Sequence, residues 1–208
     1  PLITTANVAC GFHAGDAATA FATIALAAKH GVRVGAHPSF PDREDFGRRE
    51  MDRSEQQVDE DCVYQIGAVA AIAKANGVAL SHVKAHGALY NMACRDDRYA
   101  QPVVAAAELF GLPLMGLPNS RLQALSRSGF IAEGFADRRY RPDGSLVPRS
   151  QPDAFVHDPD EASRQAAKLA KQGIRTLCVH GDNPQALAFV RALRESLTAA
   201  GFTIAPFA

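Results

Sequence analysis

Four of the seven histidines in this 208-residue chain stand in one kind of setting. A short apolar run ends beside glycine, alanine or proline, a histidine follows, and a helical pattern begins. The four are His13 in Cys10-Gly11-Phe12-His13-Ala14-Gly15-Asp16, His37 in Gly35-Ala36-His37-Pro38-Ser39, His86 in Lys84-Ala85-His86-Gly87, and His180 in Cys178-Val179-His180-Gly181-Asp182. Neutral imidazole takes up protons near physiological pH and ligates divalent metals. His13 with Asp16 at a strand-to-helix turn suits a metal or a proton relay, although Asp16 equally suits a helix cap. Pro38 biases His37 towards extended backbone, so His13 and His37 read as two ligands from neighbouring strands. In His82-Val83-Lys84-Ala85-His86 the period of two turns His82, Lys84 and His86 to one face. A lysine on a buried face needs a partner or an anionic ligand. Lys84 and His86 are therefore candidates, with His82 structural at the strand start.

The polar loop after His37 carries Arg43 among acids. A longer loop, from Asp137 to Asp153, holds Asp137, Arg138 and Arg149. Loops of that length often contact substrate, and arginine binds carboxylate or phosphate bidentately. His30 and His157 read as surface residues.

These residues need elements to hold them, and strand-like and helix-like stretches alternate throughout. Strands are expected at 2–9, 32–36, 80–85, 112–117, 130–135, 175–179 and 202–205. Helices are expected from Asp16 to His30, from a capping box at Ser54-Gln57 to Asn76, near Tyr90–Met92, over Arg98–Phe110, from Asn119 or Ser120 towards Gly129, from Asp160 to Gly173, and over Pro184–Ala200. A βαβα alternation implies a parallel sheet covered by helices. Candidate residues recur after nearly every strand, which favours a barrel over a doubly wound sheet. The expected fold is a single α/β domain over residues 1–208, a (β/α) barrel of about seven strands.

Composition narrows the function. Apolar residues make up 47%, charged residues 21%, and the formal net charge is zero. That argues against nucleic acid or an anionic membrane as main partner. The four cysteines form no CxxC pair, and Cys10 and Cys178 read as small buried thiols. Neither GxGxxG nor GxxxxGK[ST] occurs, so no Rossmann or P-loop nucleotide site is expected, and no Gly-x-Ser-x-Gly elbow marks a serine hydrolase. No signal peptide or spanning helix is visible, and a cytoplasmic location is the expectation.

Taken together, Thr5–Asp16, Gly35–Asp42, His82–Asn91, Phe135–Arg138 and Asp143–Arg149 resemble the LamB/YcsF family, to which the A component of bacterial 5-oxoprolinase belongs. The match is ordered and spans nearly the whole chain. It departs at Ala85, where the family usually has proline, and around Gly173–Thr176, which is short. The chain starts at Pro1, after the point where the family's acidic strand is expected.

The resemblance implies an incomplete seven-stranded barrel of the glycoside hydrolase/deacetylase type, lacking its first strand here. It implies ATP-dependent opening of 5-oxoproline to L-glutamate with subunits B and C, ATP being consumed by the complex, and self-association is a further expectation. The expected catalytic set is His13, Asp16, His37, Lys84 and His86. Asn7, Arg43, Asp137, Arg138, Arg149 and His180 are expected at substrate, and His13, His37 and His86 at a divalent metal. Two other readings stay open: a stand-alone metal-dependent deacetylase or amidohydrolase, and a non-catalytic metabolite-binding subunit.

Overall fold

The computed structural model of the chain describes residues 2–181 and 185–207. Its contacts divide it into two compact units. One comprises residues 3–131, and the other comprises Leu2 with the chain from Ala132 onward.

The first unit opens with β1 (Thr5–Ala9), α1 (Ala17–Lys29) and β2 (Arg33–His37). It continues through α2 (Glu55–Ala75), β3 (Leu80–Val83), α3 (Gly87–Arg95), α4 (Asp97–Leu109), β4 (Leu114–Gly116) and α5 (Arg121–Leu125). β1 pairs with β2, β2 with β3 and β3 with β4, all parallel. Each strand returns through a helix, as parallel pairing requires. The register sets Ala9 beside His37 and Ala36 beside Val83. Beyond β3, Lys84 N–H donates to Ala36 O and His86 N–H to Pro38 O. The chain that leads to His86 thus stays laced to the chain that carries His37.

Helix starts follow the sequence signals. Asp16 caps α1 by accepting from Thr19 N–H. Ser54 and Gln57 complete the capping box of α2, bonding each other's backbone N–H, a motif in which each cap bond is worth about 1 kcal/mol. The core beneath is aliphatic: Ile24, Val58, Ile66, Val69, Leu89, Val103, Leu114 and Leu122 are all buried.

β5 (Phe130–Phe135) begins in the first unit and continues into the second, which also holds α6 (Pro159–Lys171), β6 (Thr176–Cys178) and α7 (Ala186–Ala199). β5 and β6 pair in parallel, with Phe135 opposite Cys178. A cluster of Ala136, Ala166, Leu193 and Leu197 packs with Leu177, Val179 and Phe189.

Three expected elements differ. α5 stops at Leu125, where the Ser126 hydroxyl bonds back to Leu122 O and the chain turns extended; serine competes with helix continuation in this way. α6 is capped by Asp158 rather than Asp160, because Pro159, having no N–H to satisfy, takes the first helical position. The expected last strand at 202–205 is irregular chain. Phe202 and Ile204 do bury against the α6–α7 cluster, so the alternation reflects packing without a ladder. Six strands therefore occur among the described residues. The helix cap expected at Asp182 lies outside them.

Candidate functional site

Three histidines converge in the first unit. His37 is the last residue of β2, His13 follows β1 by four positions, and His86 caps α3 just past β3. The His13 and His86 rings stack at 3.9 Å between centroids with a 6° interplanar angle. His37 meets both edge-on, at 5.6 Å and 4.9 Å. One nitrogen of each ring lies within 4.8 Å of the other two.

The opposite nitrogen of each ring is tied to the protein, and those ties assign the protons. His37 Nδ1 stands 2.6 Å from Lys84 O, and His86 Nε2 stands 2.7 Å from Phe46 O. A carbonyl only accepts, so each of these nitrogens carries hydrogen. His13 Nδ1 lies 2.8 Å from Ser39 Oγ, whose own hydrogen goes to Phe40 O. His13 Nδ1–H is therefore the donor there. His13 Nε2, His37 Nε2 and His86 Nδ1 are left as lone pairs, and the last two face each other at 3.1 Å. Backbone and hydroxyl partners that fix tautomer and ring orientation are the usual outer support of metal-binding histidine.

Several residues the sequence reading passed over hold this arrangement. Ser39 is fully buried and clamped by Gln65 of α2, which accepts from Ser39 N–H at 3.0 Å and donates to Ser39 O at 2.8 Å. The signal was a glutamine on the otherwise apolar face of α2, among Val58, Cys62, Ile66 and Val69. Phe46 sets its ring edge against His13 and His86 while its carbonyl holds His86. Its φ of 55° lies in the left-handed region, a strain of about 1–3 kcal/mol that tends to gather at functional sites. Gly47 follows at φ +69°. A Cβ there would lie 2.9 Å from both His13 Cβ and His86 Cδ2. Gly47→Ala is expected to cost about 1–2 kcal/mol and to displace two rings. A drop in divalent-metal affinity of tenfold or more, on the order of the loss seen when outer support fails, would show in titration beside a urea melt. Unchanged affinity would remove Gly47 from the site.

Burial dominates the electrostatics. Loss of solvation, with help from His86, Arg48 and Arg43, pushes the His13 imidazolium down to about 3. Burial, then His86 and Lys84, holds His37 well below the ordinary histidine range. His82, fully buried, is also pushed down to about 3, by burial and then Lys84. These groups charge freely only in the unfolded chain. Their contribution to stability is complete above the unfolded value of 6.5 and is lost as pH falls from there towards 3. Urea midpoints of metal-free protein should fall steeply over that window, by up to roughly 1.4 kcal/mol per pH unit per histidine. A flat profile between pH 6.5 and 4 would contradict the assignment.

The other expected site residues divide. Lys84 is 5% exposed, with Nζ 5.9 Å from the Tyr90 ring centroid. Its positive charge helps hold His37 and His82 below the ordinary histidine range. Asn7 Oδ1 lies 2.7 Å from His82 Nε2, so Asn7 is engaged with that buried imidazole. Arg43 bonds Gly11 O and Gly15 O at 2.8 Å and 2.9 Å, bracing the loop that carries His13. Asp16 stays exposed at its cap, its carboxyl held low chiefly by the Thr19 N–H. Burial pushes the Cys10 thiol up to about 12, which disfavours its thiolate. In the second unit, Asp137, Arg149 and His180 come together, while Arg138 is buried and bonds Val147 O and Ala154 O.

Fold and site together define an α/β protein of the incomplete (β/α)-barrel class, with imidazoles gathered where strands end. The chain belongs to the LamB/YcsF family, whose profile matches residues 1–208. It is 44% identical to the A component of 5-oxoprolinase from a strain of Thermus thermophilus, over all of this chain and 90% of that protein. It is 45% identical to the protein of the same name from Methylococcus capsulatus, over 98% of this chain and 85% of the other. The crystal structure of a lactam utilization protein, also from Thermus thermophilus, superposes with a TM-score of 0.91 at 42% identity, covering 99% of this chain and 90% of that one. Among the described residues, no helix is long and apolar enough to cross a membrane.

Proposed function

We propose that this chain is the A component of an ATP-dependent 5-oxoprolinase, opening the lactam of 5-oxoproline to give L-glutamate in a complex with subunits B and C. The names of its relatives support the substrate. The chemistry rests on one observation: one nitrogen from each of three imidazoles lies within 4.8 Å of the other two, while His37 Nδ1, His86 Nε2 and His13 Nδ1 are held by Lys84 O, Phe46 O and Ser39 Oγ.

Two lone pairs 3.1 Å apart repel unless a proton or a cation lies between them. Three neutral nitrogens on fixed rings suit a divalent ion such as Zn²⁺, so His13, His37 and His86 fit as its ligands. When bound, such an ion supplies Lewis-acid polarisation of a carbonyl and activation of water. The protein's own part is to hold His13 and His37 deprotonated by burial and to fix the planes of all three rings. Lys84 brings positive charge to the same face, where it suits the substrate carboxylate. An unstrained lactam resists hydrolysis. Phosphorylation of its oxygen by ATP makes the ring carbon a better electrophile, and with no nucleotide motif in this chain the partner subunits are expected to contribute to that step.

The test is glutamate formation from 5-oxoproline by purified chain, with and without ATP and subunits B and C. Turnover only in the full mixture is expected. Turnover by the chain alone without ATP would point instead to a stand-alone metal-dependent amidohydrolase. Ligand binding without turnover in any mixture would point to a non-catalytic subunit.

A further inference from the structure

Asp42 stands in the loop between β2 and α2 and is 2% exposed there. All of its oxygens accept from that same loop. Its carbonyl accepts from Gly47 N–H at 2.6 Å. Its Oδ2 accepts from Arg49 N–H at 3.1 Å, and its Oδ1 from Asp45 N–H at 3.4 Å. The Arg49 side chain, half exposed, closes over Oδ1 with Nη2 at 3.3 Å.

The bond from Gly47 N–H reaches the histidines. That N–H and the Phe46 carbonyl belong to one planar trans peptide, so they point in opposite directions. With the N–H turned to Asp42, the carbonyl is turned to His86 Nε2, at 2.7 Å. The carboxyl contacts to Asp45 and Arg49 bracket this peptide on both sides. It needs the bracket, because Phe46 and Gly47 are both left-handed, at φ 55° and 69°, a conformation that costs a phenylalanine energy. The next carbonyl, of Gly47, accepts from Ala88 N–H at 2.8 Å and moors the loop to the turn that carries His86.

This peptide plane decides where the His86 hydrogen goes. A neutral imidazole carries one such hydrogen. On Nε2 it meets the Phe46 carbonyl. On Nδ1 it would instead meet His37 Nε2, 3.1 Å away. His37 gives its own hydrogen to Lys84 O through Nδ1, so its Nε2 can accept. The two tautomers therefore compete, and the nearer Phe46 carbonyl selects the first for as long as it is held in place.

We infer that Asp42 is a positioning residue for the histidine site: through the backbone N–H groups it accepts, it holds the Phe46–Gly47 peptide and so keeps the His86 hydrogen on Nε2 and off Nδ1, the nitrogen facing His37 that a divalent cation would use. The inference deepens the metal-site reading of His13, His37 and His86 and rests on it for the cation.

The experiment is nitrogen NMR of the histidine side chains in the metal-free full chain, assigned with His86→Gln and His37→Gln, beside a Zn²⁺ titration. The wild type should carry the His86 hydrogen on Nε2. In Asp42→Asn the carboxamide oxygen can accept from only one of the two N–H groups and turns its own N–H₂ towards the other. The His86 hydrogen should then pass largely to Nδ1, while the His82 resonances stay where they were. Zn²⁺ affinity should fall about ten- to a hundredfold, as when an outer partner of a metal-binding histidine is lost. Arg49→Ala keeps both N–H groups and should keep the wild-type tautomer. Circular dichroism and a urea melt confirm folding. Should Asp42→Asn not fold, Asp42→Ser, whose hydroxyl can accept from one N–H, is read in the same way. An unchanged His86 tautomer in the folded variant, an equal change in Arg49→Ala, or an equal disturbance of His82 would each overturn the inference. An Asp42-dependent tautomer in a wild-type chain that binds no Zn²⁺ would refute the metal reading and leave the hold of Asp42 on His86 standing. Equal Zn²⁺ affinity in wild type and Asp42→Asn would refute the role of Asp42 and leave the metal reading standing.

Discussion

Substituting His37 by alanine is expected to lower 5-oxoproline opening by the reconstituted complex on the order of a thousandfold, the range for a group that handles protons or a metal at the reacting centre. His37 lies beside the stacked pair of His13 and His86. It meets His13 and His86 edge-on, and its Nε2 is the atom that faces His86 Nδ1. The change also leaves Lys84 O without the imidazole N–H that it accepts. Two measurements separate chemistry from folding. Metal content should fall with the loss of one of three ligands, and the urea midpoint should move far less than the rate. Near-wild-type turnover would exclude an essential role for His37. Lost turnover with a collapsed urea midpoint would mean only that the variant does not fold.

The largest effect on stability is expected at Gly35, in the middle of β2. A Cβ there would fall 2.2 Å from His82 Cε1 and Nε2, far closer than van der Waals contact allows. His82 has no free space to yield. It is fully buried and held between Asn7 Oδ1 at 2.7 Å and the Ser81 hydroxyl at 2.9 Å. Gly35→Ala should therefore cost about 3 kcal/mol, the upper part of the overpacking range, read as a shift in urea midpoint. The double variant Gly35→Ala, His82→Ala removes the obstructing ring, so its cost should fall well short of the sum of the singles, as for residues in contact. A Gly35→Ala cost below about 0.5 kcal/mol, the level of an inconsequential surface change, would show that the imidazole can move. Strictly additive costs would show that the two residues are independent.

Both results depend on how much of this protein is local. The strand-end histidines, the cap at Asp16, the box at Ser54 and the strand at 130–135 were legible because each depends on residues within a few positions of one another. Hydrophobic period and capping chemistry act over that range. The grouping of His13, His37 and His86 was legible too, once parallel alternation placed their strands side by side. What was not legible rests on distant chain. Gln65 reaches Ser39 from 26 residues away, and Phe46 and Gly47 meet a ring 39 or 40 positions on. The engagement of the Asn7 side chain by a histidine 75 residues distant was equally out of reach. The alternation at 202–205 looked like a strand because buried side chains alternate whether or not a ladder forms.

The sequence by itself determined which residue types end each strand, and with that the class of fold and the imidazole chemistry. Tertiary structure alone decided which nitrogen of each ring carries hydrogen. That choice belongs to the carbonyls of Lys84 and Phe46 and the hydroxyl of Ser39, groups that every chain possesses and only folding aims. A carbonyl cannot donate, so its position compels the imidazole to turn its lone pair the other way. Two such compulsions, with the Ser39 hydroxyl whose hydrogen goes to Phe40 O, orient three rings whose nitrogens come within 4.8 Å of one another.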